Sequence, residues 1–265
     1  MRTCLYRGVA LAVLAAAVPV DVAFAQSGAV DPVAKVSPVA QENESGYGLN
    51  EITVTAQRRS ESVQTVPIAI SAFDSTELAT RGVSNALEVT QYVPNLVGIN
   101  NTGLGSANAY YMRGLGNTES IPTFDPPIGT YVDDIYLSRQ NANNLSLFDV
   151  ERVEVLRGPQ GTLFGRNTTG GAVAVFLKDA GPETAGYVEA GYGSYNLWQL
   201  NGSLNVPLSD TFFAKVSGYV QNSDGYAKNT VTGERQNAND GWGVRLGLRG
   251  ELSENATWTG SYIHT

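Results

Sequence analysis

Apolar and polar residues alternate regularly from residue 186 to residue 265. In LWQLNGSLNV, apolar or small residues occupy every second position from Trp198 to Val206, and polar residues such as Asn201 lie between them. The segments TFFAKVSGYVQ, GWGVRLGLRGE and ATWTGSYIH repeat this pattern. A period of two predicts β-strands with one apolar and one polar face. Together with the stretch that begins at Gly186, we count five such strands, each about as long as the strands that cross a membrane as a β-barrel.

The connections between these strands also alternate in length. PLSD and LSEN are short turns, whereas residues 222–241 form a long polar loop. Short turns on one side and long loops on the other are typical of outer-membrane barrels, although a soluble β-sandwich also has alternating strands. Closed bacterial barrels have an even number of strands, from about eight upward. We therefore expect antiparallel transmembrane β-barrel strands over 181–265, with the barrel incomplete in this chain and the sequence being the N-terminal part of a larger protein.

The N-terminus has the features of an export signal. Arg2 and Arg7 precede the apolar run VALAVLAAAVPV, and Ala23-Phe24-Ala25 provides an A-x-A cleavage site. The run is shorter than the roughly 20 residues that span a bilayer, so cleavage of a signal peptide at 1–25 is favoured over an N-terminal anchor. Cys4, the sole cysteine in the sequence, lies within this segment.

A flexible arm is predicted over 26–57. Residues 26–50 are rich in Pro, Ser, Gly, Asn and Glu and have no apolar period. The hexamer EITVTA, Glu51–Ala56, then alternates β-branched residues. Such a strand, with free edges on both sides, is suited to pairing with the sheet edge of a partner. The other interpretation, that it begins the folded domain, stays open.

Residues 58–180 alternate short strands and helices and predict an α+β domain. VPIAISAFD is a strand that ends at Asp74, which caps the helix STELATRG, and Gly82 ends that helix. A second helix begins near Ser84 and is stopped by Pro94. Further strands are expected at 108–113, 129–137, 151–156 and 172–177, with polar loops between them.

Composition and motifs argue against several classes of function. Seventeen basic and 25 acidic residues give a net charge of −8, which argues against nucleic-acid binding. The loop GRNTTGGA spaces two glycines as a phosphate-binding loop does, but has Gly171 where lysine is required and Ala172 where a hydroxyl is required. Asp133 and Asp134 could suggest a calcium site, but adjacent residues on one predicted strand point to opposite faces of the sheet. We find no catalytic set, metal site or cofactor site, and expect no enzyme activity.

Several motifs together resemble the TonB-dependent outer-membrane receptors. EITVTAQRR is similar to a TonB box. SVQTVPIAISAF, YVPNL, YMRGLG, GTYVDDIYL and FDVERVEVLRGPQGTLFGRNTTGGAVAV resemble the plug domain, and NVPLSDTFFAKVSGYVQNSDGYAKN resembles the first barrel hairpins. The similarity covers residues 51–265. It implies an α+β plug at 58–180 followed by the first five or so strands of a barrel of about 22 strands.

The resemblance implies import of a scarce nutrient, such as an iron–siderophore complex, across the outer membrane. TonB, with its inner-membrane energising complex, would bind the box residues Glu51, Ile52, Thr53, Val54, Thr55 and Ala56. Outer-membrane lipid, the barrel assembly machinery and a small-molecule or oligosaccharide substrate are the other expected partners. Two alternatives stay open: a non-transporting plug-like binding module or scaffold, and a secreted carbohydrate-binding β protein.

Two sets of site residues follow as hypotheses. Charges near the glycine-rich loop either lock the plug to the barrel or are solvated surface charges, and Glu154 and Arg157 are close enough in sequence to pair; the set is Arg113, Glu151, Glu154, Arg157 and Arg166. Substrate contacts are expected on the plug loops at 100–109, 117–127 and 138–146, with Asn108, Tyr110, Asn117, Phe124 and Arg139 as candidates. The glycines of the loop, Gly158, Gly161, Gly165, Gly170 and Gly171, are expected to permit tight turns and close approach of the backbone.

Overall fold

The computed structural model describes residues 52–55, 59, 61–101, 107–121 and 123–265. All of them belong to one compact unit, Gly48–Thr265. The predicted signal peptide and residues 26–50 of the predicted arm lie outside the described residues. Within them, no helix is long and apolar enough to cross a membrane.

A mixed five-stranded sheet forms the centre of the α+β domain. Its strand order is β3-β9-β10-β7-β8, and only the pair β10–β7 is parallel. The strands are β3 (Ile70–Asp74), β7 (Ile128–Val132), β8 (Ile135–Leu137), β9 (Val150–Arg157) and β10 (Gly171–Leu177). Two further strands, β1 (Thr53–Val54) and β2 (Glu61–Ser62), form a small antiparallel pair.

The two faces of this sheet pack into two separate apolar clusters. Val153 and Val155 of β9 lie in one cluster with Leu78 of the first helix. Leu156 points to the opposite face and lies in the second cluster with Val54. The alternation along β9 follows from the period-two geometry of a strand. Both faces of the central sheet are therefore covered.

Both predicted helices are present, and the first has its predicted cap. Helix α1 (Ser75–Thr80) begins at Asp74, whose carboxylate accepts a hydrogen bond from the Glu77 N–H, and Gly82 follows it with φ of +66°. Helix α2 (Ala86–Val89) begins at Asn85, which caps the Glu88 N–H, and continues as a 3₁₀ turn, Thr90–Tyr92. A third short helix, α3 (Gly161–Phe164), lies in the glycine-rich loop.

A strand was missed where the sequence predicted a loop. β4 (Leu96–Asn100) pairs antiparallel with β5 (Asn108–Met112), which also pairs with β6 (Leu115–Gly116). Gly98 in β4 lowers the strand propensity, but a Cβ there would lie 2.6 Å from Leu87 Cδ1. Close packing of helix α2 on the strand requires the glycine, so tertiary contact overrides propensity here.

The predicted strand 129–137 is wrong as a single element. Asp133 and Asp134 have φ of +46° and +69° and form the turn between β7 and β8. The two carboxylates therefore lie in a hairpin turn, where aspartate tolerates the left-handed conformation, and not on opposite faces of a strand.

Five long antiparallel strands form a second sheet, which we call the wall. They are β11 (Ala185–Gly193), β12 (Leu197–Pro207), β13 (Phe212–Asn222), β16 (Gly241–Ser253) and β17 (Ala256–His264), in the order β11-β12-β13-β16-β17. The sheet is not closed on itself. A small hairpin, β14 (Ala227–Lys228) and β15 (Arg235–Gln236), lies in the long loop between β13 and β16.

The alternation predicted for the wall is confirmed. Leu200, Leu204 and Leu246 are between 44% and 50% exposed on the outer face. Phe213, Ser217 and Arg245 are at most 4% exposed because they face inward. An apolar outer face and a polar inner face are the arrangement of a membrane barrel strand.

Candidate functional site

The box segment, Glu51–Ala56, is attached to the α+β domain wherever it is described. β1 pairs with β2 in the register Thr53↔Ser62 and Val54↔Glu61. Val54 is fully buried in the second apolar cluster, and Ile52 packs against the same cluster. One edge of the strand is thus paired, in contrast to the two free edges that the sequence suggested. Glu51 and Ala56 lie outside the described residues.

A buried charged cluster lies beside the box segment. Glu154 is fully buried, and its Oε1 accepts hydrogen bonds from Thr55 N at 2.9 Å and from Arg152 Nε at 2.8 Å. Arg152 also donates to Thr55 Oγ1 at 3.0 Å. The prediction that Glu154 pairs with Arg157 is wrong, because residues three apart in a strand point to opposite faces, whereas Arg152 and Glu154 share one.

The other predicted lock residues lie on the α+β domain with local contacts. Glu151 is 2.6 Å from Arg152 Nη1, and Arg157 Nη2 donates to the Ile70 carbonyl oxygen at 3.4 Å. Arg113 has φ of +51°, with its guanidinium close to Gly158, and Arg166 is exposed. Their role as a lock stays a prediction.

Other charges join the α+β domain to the wall. Lys215 Nζ of β13 lies 2.8 Å from Asp149 Oδ1, and both side chains are at least 91% buried. Arg245 of β16 lies 3.7 Å from Asp149 and 3.6 Å from Asp133. Arg245 Nη1 also donates to the Lys178 carbonyl oxygen at 2.7 Å. Two cations on the inner face of the wall thus meet acidic groups of the domain.

Burial and charge act in opposite directions on Asp133. Burial raises the pKa of this carboxyl above its ordinary value, while the Leu177 N–H donor and the nearby Arg245 guanidinium lower it. Because burial is the largest cause, the pKa is raised overall, and the charged form of the Asp133 carboxyl is destabilised by its loss of contact with water. Arg245 and the Leu177 amide offset part of that destabilisation.

Neutral contacts extend the same interface. The Phe148 and Tyr219 rings lie with centroids 4.8 Å apart. Asn205 of β12 binds the backbone of Gly181 in both directions, accepting from its N–H at 2.9 Å and donating to its carbonyl oxygen at 2.8 Å. Residues missed by the sequence analysis therefore make this interface. The available signal was the presence of Lys215 and Arg245 on the predicted inner face of the wall.

A polar cavity of about 530 Å³ lies between helix α1 and the wall. Its wall side carries neutral amides and hydroxyls together with Glu189, and its domain side includes Lys178 and Asp149. A polar seam of this kind can accommodate water or a polar solute, and it separates α1 from the strands that face it.

The predicted substrate residues divide into buried and exposed groups. Asn108 and Tyr110 are 0% and 4% exposed, and Asn108 Nδ2 donates to the Asn143 carbonyl oxygen at 3.1 Å. In this conformation both side chains lie in the interior beneath the loop 138–146, and neither is exposed to solvent. Burial raises the pKa of the Tyr110 phenol to about 12.

The remaining candidates lie nearer the surface. Phe124 is 54% exposed and Arg139 is exposed, whereas Asn117 is half-buried. Gln140 Nε2 donates to the Asn117 carbonyl oxygen at 2.7 Å, so the loops 117–127 and 138–146 are joined. Substrate contact by any of the five residues stays a prediction. In the described part of the chain, acidic, His and Cys side chains form no group of three or more that could hold a metal.

The expectation for the glycine-rich loop holds for three of its five glycines. Gly158, Gly165 and Gly171 have φ of +111°, +86° and +152°. It is wrong for Gly161 and Gly170, which have no positive φ and where a Cβ meets no atom closer than 3.4 Å. A Cβ on Gly171 would clash with the Leu156 carbonyl oxygen and the Met112 sulfur, so close backbone approach requires glycine there. Thr168 closes the loop by donating to the Gly165 carbonyl oxygen at 2.7 Å.

Comparison with known proteins identifies this arrangement. The TonB-dependent Receptor Plug Domain model matches residues 62–172. The chain is 28% identical over 212 residues to the pesticin receptor of Yersinia pestis, covering 79% of this chain and 30% of the receptor. It is 25% identical over 215 residues to the vitamin B12 transporter BtuB of Vibrio vulnificus, covering 74% of this chain and 34% of the transporter.

A solved structure shows the same fold. The ferric yersiniabactin uptake receptor FyuA from Yersinia pestis matches with a TM-score of 0.65 and 24% identity, over 74% of this chain and 30% of that one. The chain thus spans about a third of the length of these relatives, which are receptors and transporters and not enzymes. Residues 62–172 therefore match the plug domain of TonB-dependent receptors, and the plug with the wall strands that follow it resembles the corresponding part of these outer-membrane receptors.

Proposed function

We propose that the full-length protein imports a scarce small nutrient, such as an iron–siderophore complex, across the outer membrane. The observation that carries the proposal is a plug held against the polar inner face of a membrane wall by Asp149, Lys215 and Arg245. Relatives whose names specify ferric yersiniabactin and vitamin B12 support a metal-chelate cargo. The cargo is bound at the outer plug loops and released on the periplasmic side.

TonB supplies the energy for this import by binding the box segment, Glu51–Ala56, from the periplasm. The box is a short β-prone strand, and such strands are recognised when a partner adds a strand to their edge. Support for this role is the position of the described residues Ile52–Thr55, whose strand β1 lies at the margin of the plug and is not part of its central sheet.

Uptake by the full-length receptor tests the proposal. The receptor is produced in cells that lack their own uptake receptors, and accumulation of a panel of ⁵⁵Fe-siderophores and of labelled cobalamin is measured. We expect one cargo class to accumulate in cells with TonB and not in cells without it, while surface binding is equal in both. Accumulation that is independent of TonB, or binding with no accumulation of any cargo, contradicts the proposal; binding alone favours a non-transporting binding module.

A further inference from the structure

The inner face of the first three wall strands carries a contiguous patch of polar side chains. Gln199 of β12 lies directly opposite Gln221 of β13. Two residues further along the same face, Asn201 lies opposite Tyr219 of β13 and opposite Glu189 of β11. Opposed residues of antiparallel strands have Cβ atoms about 4.5–5.5 Å apart. The register therefore brings three amides, a phenol and a carboxylate together.

Two glycines give these side chains room to lie along the sheet. A Cβ on Gly243 of β16 would lie 2.6 Å from Tyr219 Cε1. A Cβ on Gly191 of β11 would lie 2.8 Å from Gln199 Cγ. Glycine within a strand is found where another group approaches the backbone closely. Tyr219 and Gln199 thus occupy the space above the two glycines, and the space between the wall and helix α1 stays open.

The amides of the patch are available for a ligand. In the part of the chain that the structure describes, the side chains of Gln199, Asn201 and Gln221 form no hydrogen bond with the protein. All three line the cavity of about 530 Å³ between α1 and the wall. Small-molecule sites have volumes of about 300–1,000 Å³, so this cavity is large enough for one.

The chemistry of the lining selects the class of ligand. Lys178 and Glu189 have opposite charges, and Asp149 is already paired with Lys215. The cavity therefore favours neither anions nor cations. An amide offers donors and an acceptor together, which matches a hydroxyl group, whereas an anion uses only the donors and a cation only the acceptor. The Tyr219 ring adds a flat apolar face for the C–H groups of a ligand.

We propose that this cavity binds a small neutral saccharide, such as a disaccharide, through Gln199, Asn201 and Gln221. Helix α1 supplies Ser75 and Thr80 on the opposite side, so the bound saccharide bridges the α+β domain and the wall. None of the five predicted substrate residues, all of which the structure describes, lines the cavity. The inference goes beyond the proposed import and does not depend on TonB, because it concerns equilibrium binding by the folded receptor.

Equilibrium dialysis of the purified full-length receptor tests the site, without cargo and in a detergent that has no sugar headgroup. The probes are radiolabelled maltose, sulfate and choline, which are neutral, anionic and cationic. Asn201→Leu removes one amide, and Ala79→Trp fills the cavity from helix α1 without removing a polar group. Asn239→Leu, in the exposed loop between β13 and β16, is the matched control. Heat-modifiable mobility in gels verifies that each barrel is folded.

We expect the parent receptor to bind maltose and to bind neither sulfate nor choline. Asn201→Leu is expected to lower the affinity for maltose about tenfold, through the loss of the hydrogen bonds of one amide. Ala79→Trp is expected to lower it at least as much, and Asn239→Leu to leave it unchanged.

Three results overturn the proposal. Maltose binding that is equal in the parent, Asn201→Leu and Ala79→Trp receptors places the saccharide elsewhere. Binding of sulfate or choline in place of maltose shows that Lys178 or Glu189 dominates the cavity. Binding of none of the three probes shows that the cavity holds water only.

Discussion

Lys215 Nζ lies 2.8 Å from Asp149 Oδ1, with the two side chains 91% and 99% buried between the plug and the wall. Asp149 itself has φ of +55°, a conformation that few residues other than glycine, asparagine and aspartate adopt. A buried pair is a weak source of net stability, but removal of one partner leaves an uncompensated charge. The pair therefore makes the plug sensitive to single substitutions at this point.

Lys215→Met is expected to destabilise the plug by about 3 kcal/mol or more, because Asp149 then stays buried with only the more distant Arg245 as a counter-charge. Asp149→Asn in the same receptor is expected to restore most of the loss. The measurement is the urea concentration at which the plug of the full-length receptor becomes accessible to protease. Equal stability of the single and double variants shows that the pair is not coupled.

The exposed pair Arg249–Glu251 on the same wall provides the control. Its nitrogen–oxygen distance is 3.0 Å, but the side chains are 32% and 43% exposed. Solvent screens such a pair, so Arg249→Met is expected to change plug stability by less than about 1 kcal/mol.

Gly171→Ala is expected to destabilise the plug by about 2 kcal/mol or more, because a Cβ clashes with the Leu156 carbonyl oxygen and φ is +152°. Gly161→Ala is the matched substitution in the same loop, where a Cβ meets nothing within 4 Å. It is expected to be neutral or slightly stabilising because alanine favours the short helix α3. The protease measurement above compares the two; similar losses for both contradict the geometry.

Tyr110 predicts a loss of stability at high pH. Burial raises the pKa of its phenol to about 12 from an ordinary value of 10.0. The stabilisation is therefore fully present below pH 10 and is lost as pH rises through about 12, by up to about 3 kcal/mol. Tyr110→Phe lacks the titrating group, so the difference in plug stability between parent and variant is expected to change above pH 10. A difference that is constant with pH contradicts the assignment.

The elements governed by local sequence patterns were predicted well. The wall strands follow from the alternation around residues such as Trp198 and Leu246, and helix α1 follows from the cap at Asp74. β4 was missed because Gly98 is selected by packing against Leu87 and not by strand propensity. Contacts between residues that are far apart in sequence also could not be predicted, because no local pattern relates the two partners.

The plug–wall contacts illustrate this limit. Asp149 and Lys215 belong to different elements, and no local period relates them. The same holds for Thr55 and Glu154, which are 99 residues apart in sequence. The charged residues near the glycine-rich loop were noticed, but their partners depend on which strand face each one occupies.

Energised uptake with an altered box segment tests the central claim most directly. Val54→Pro removes one backbone N–H from the box strand and fixes φ, and proline is poorly tolerated within a paired strand, so the box strand is disrupted. Cargo accumulation is measured in cells with TonB, at equal receptor levels and equal surface binding. The account predicts that the parent receptor accumulates cargo and that Val54→Pro accumulates no more than cells without TonB; undiminished accumulation by Val54→Pro would contradict it.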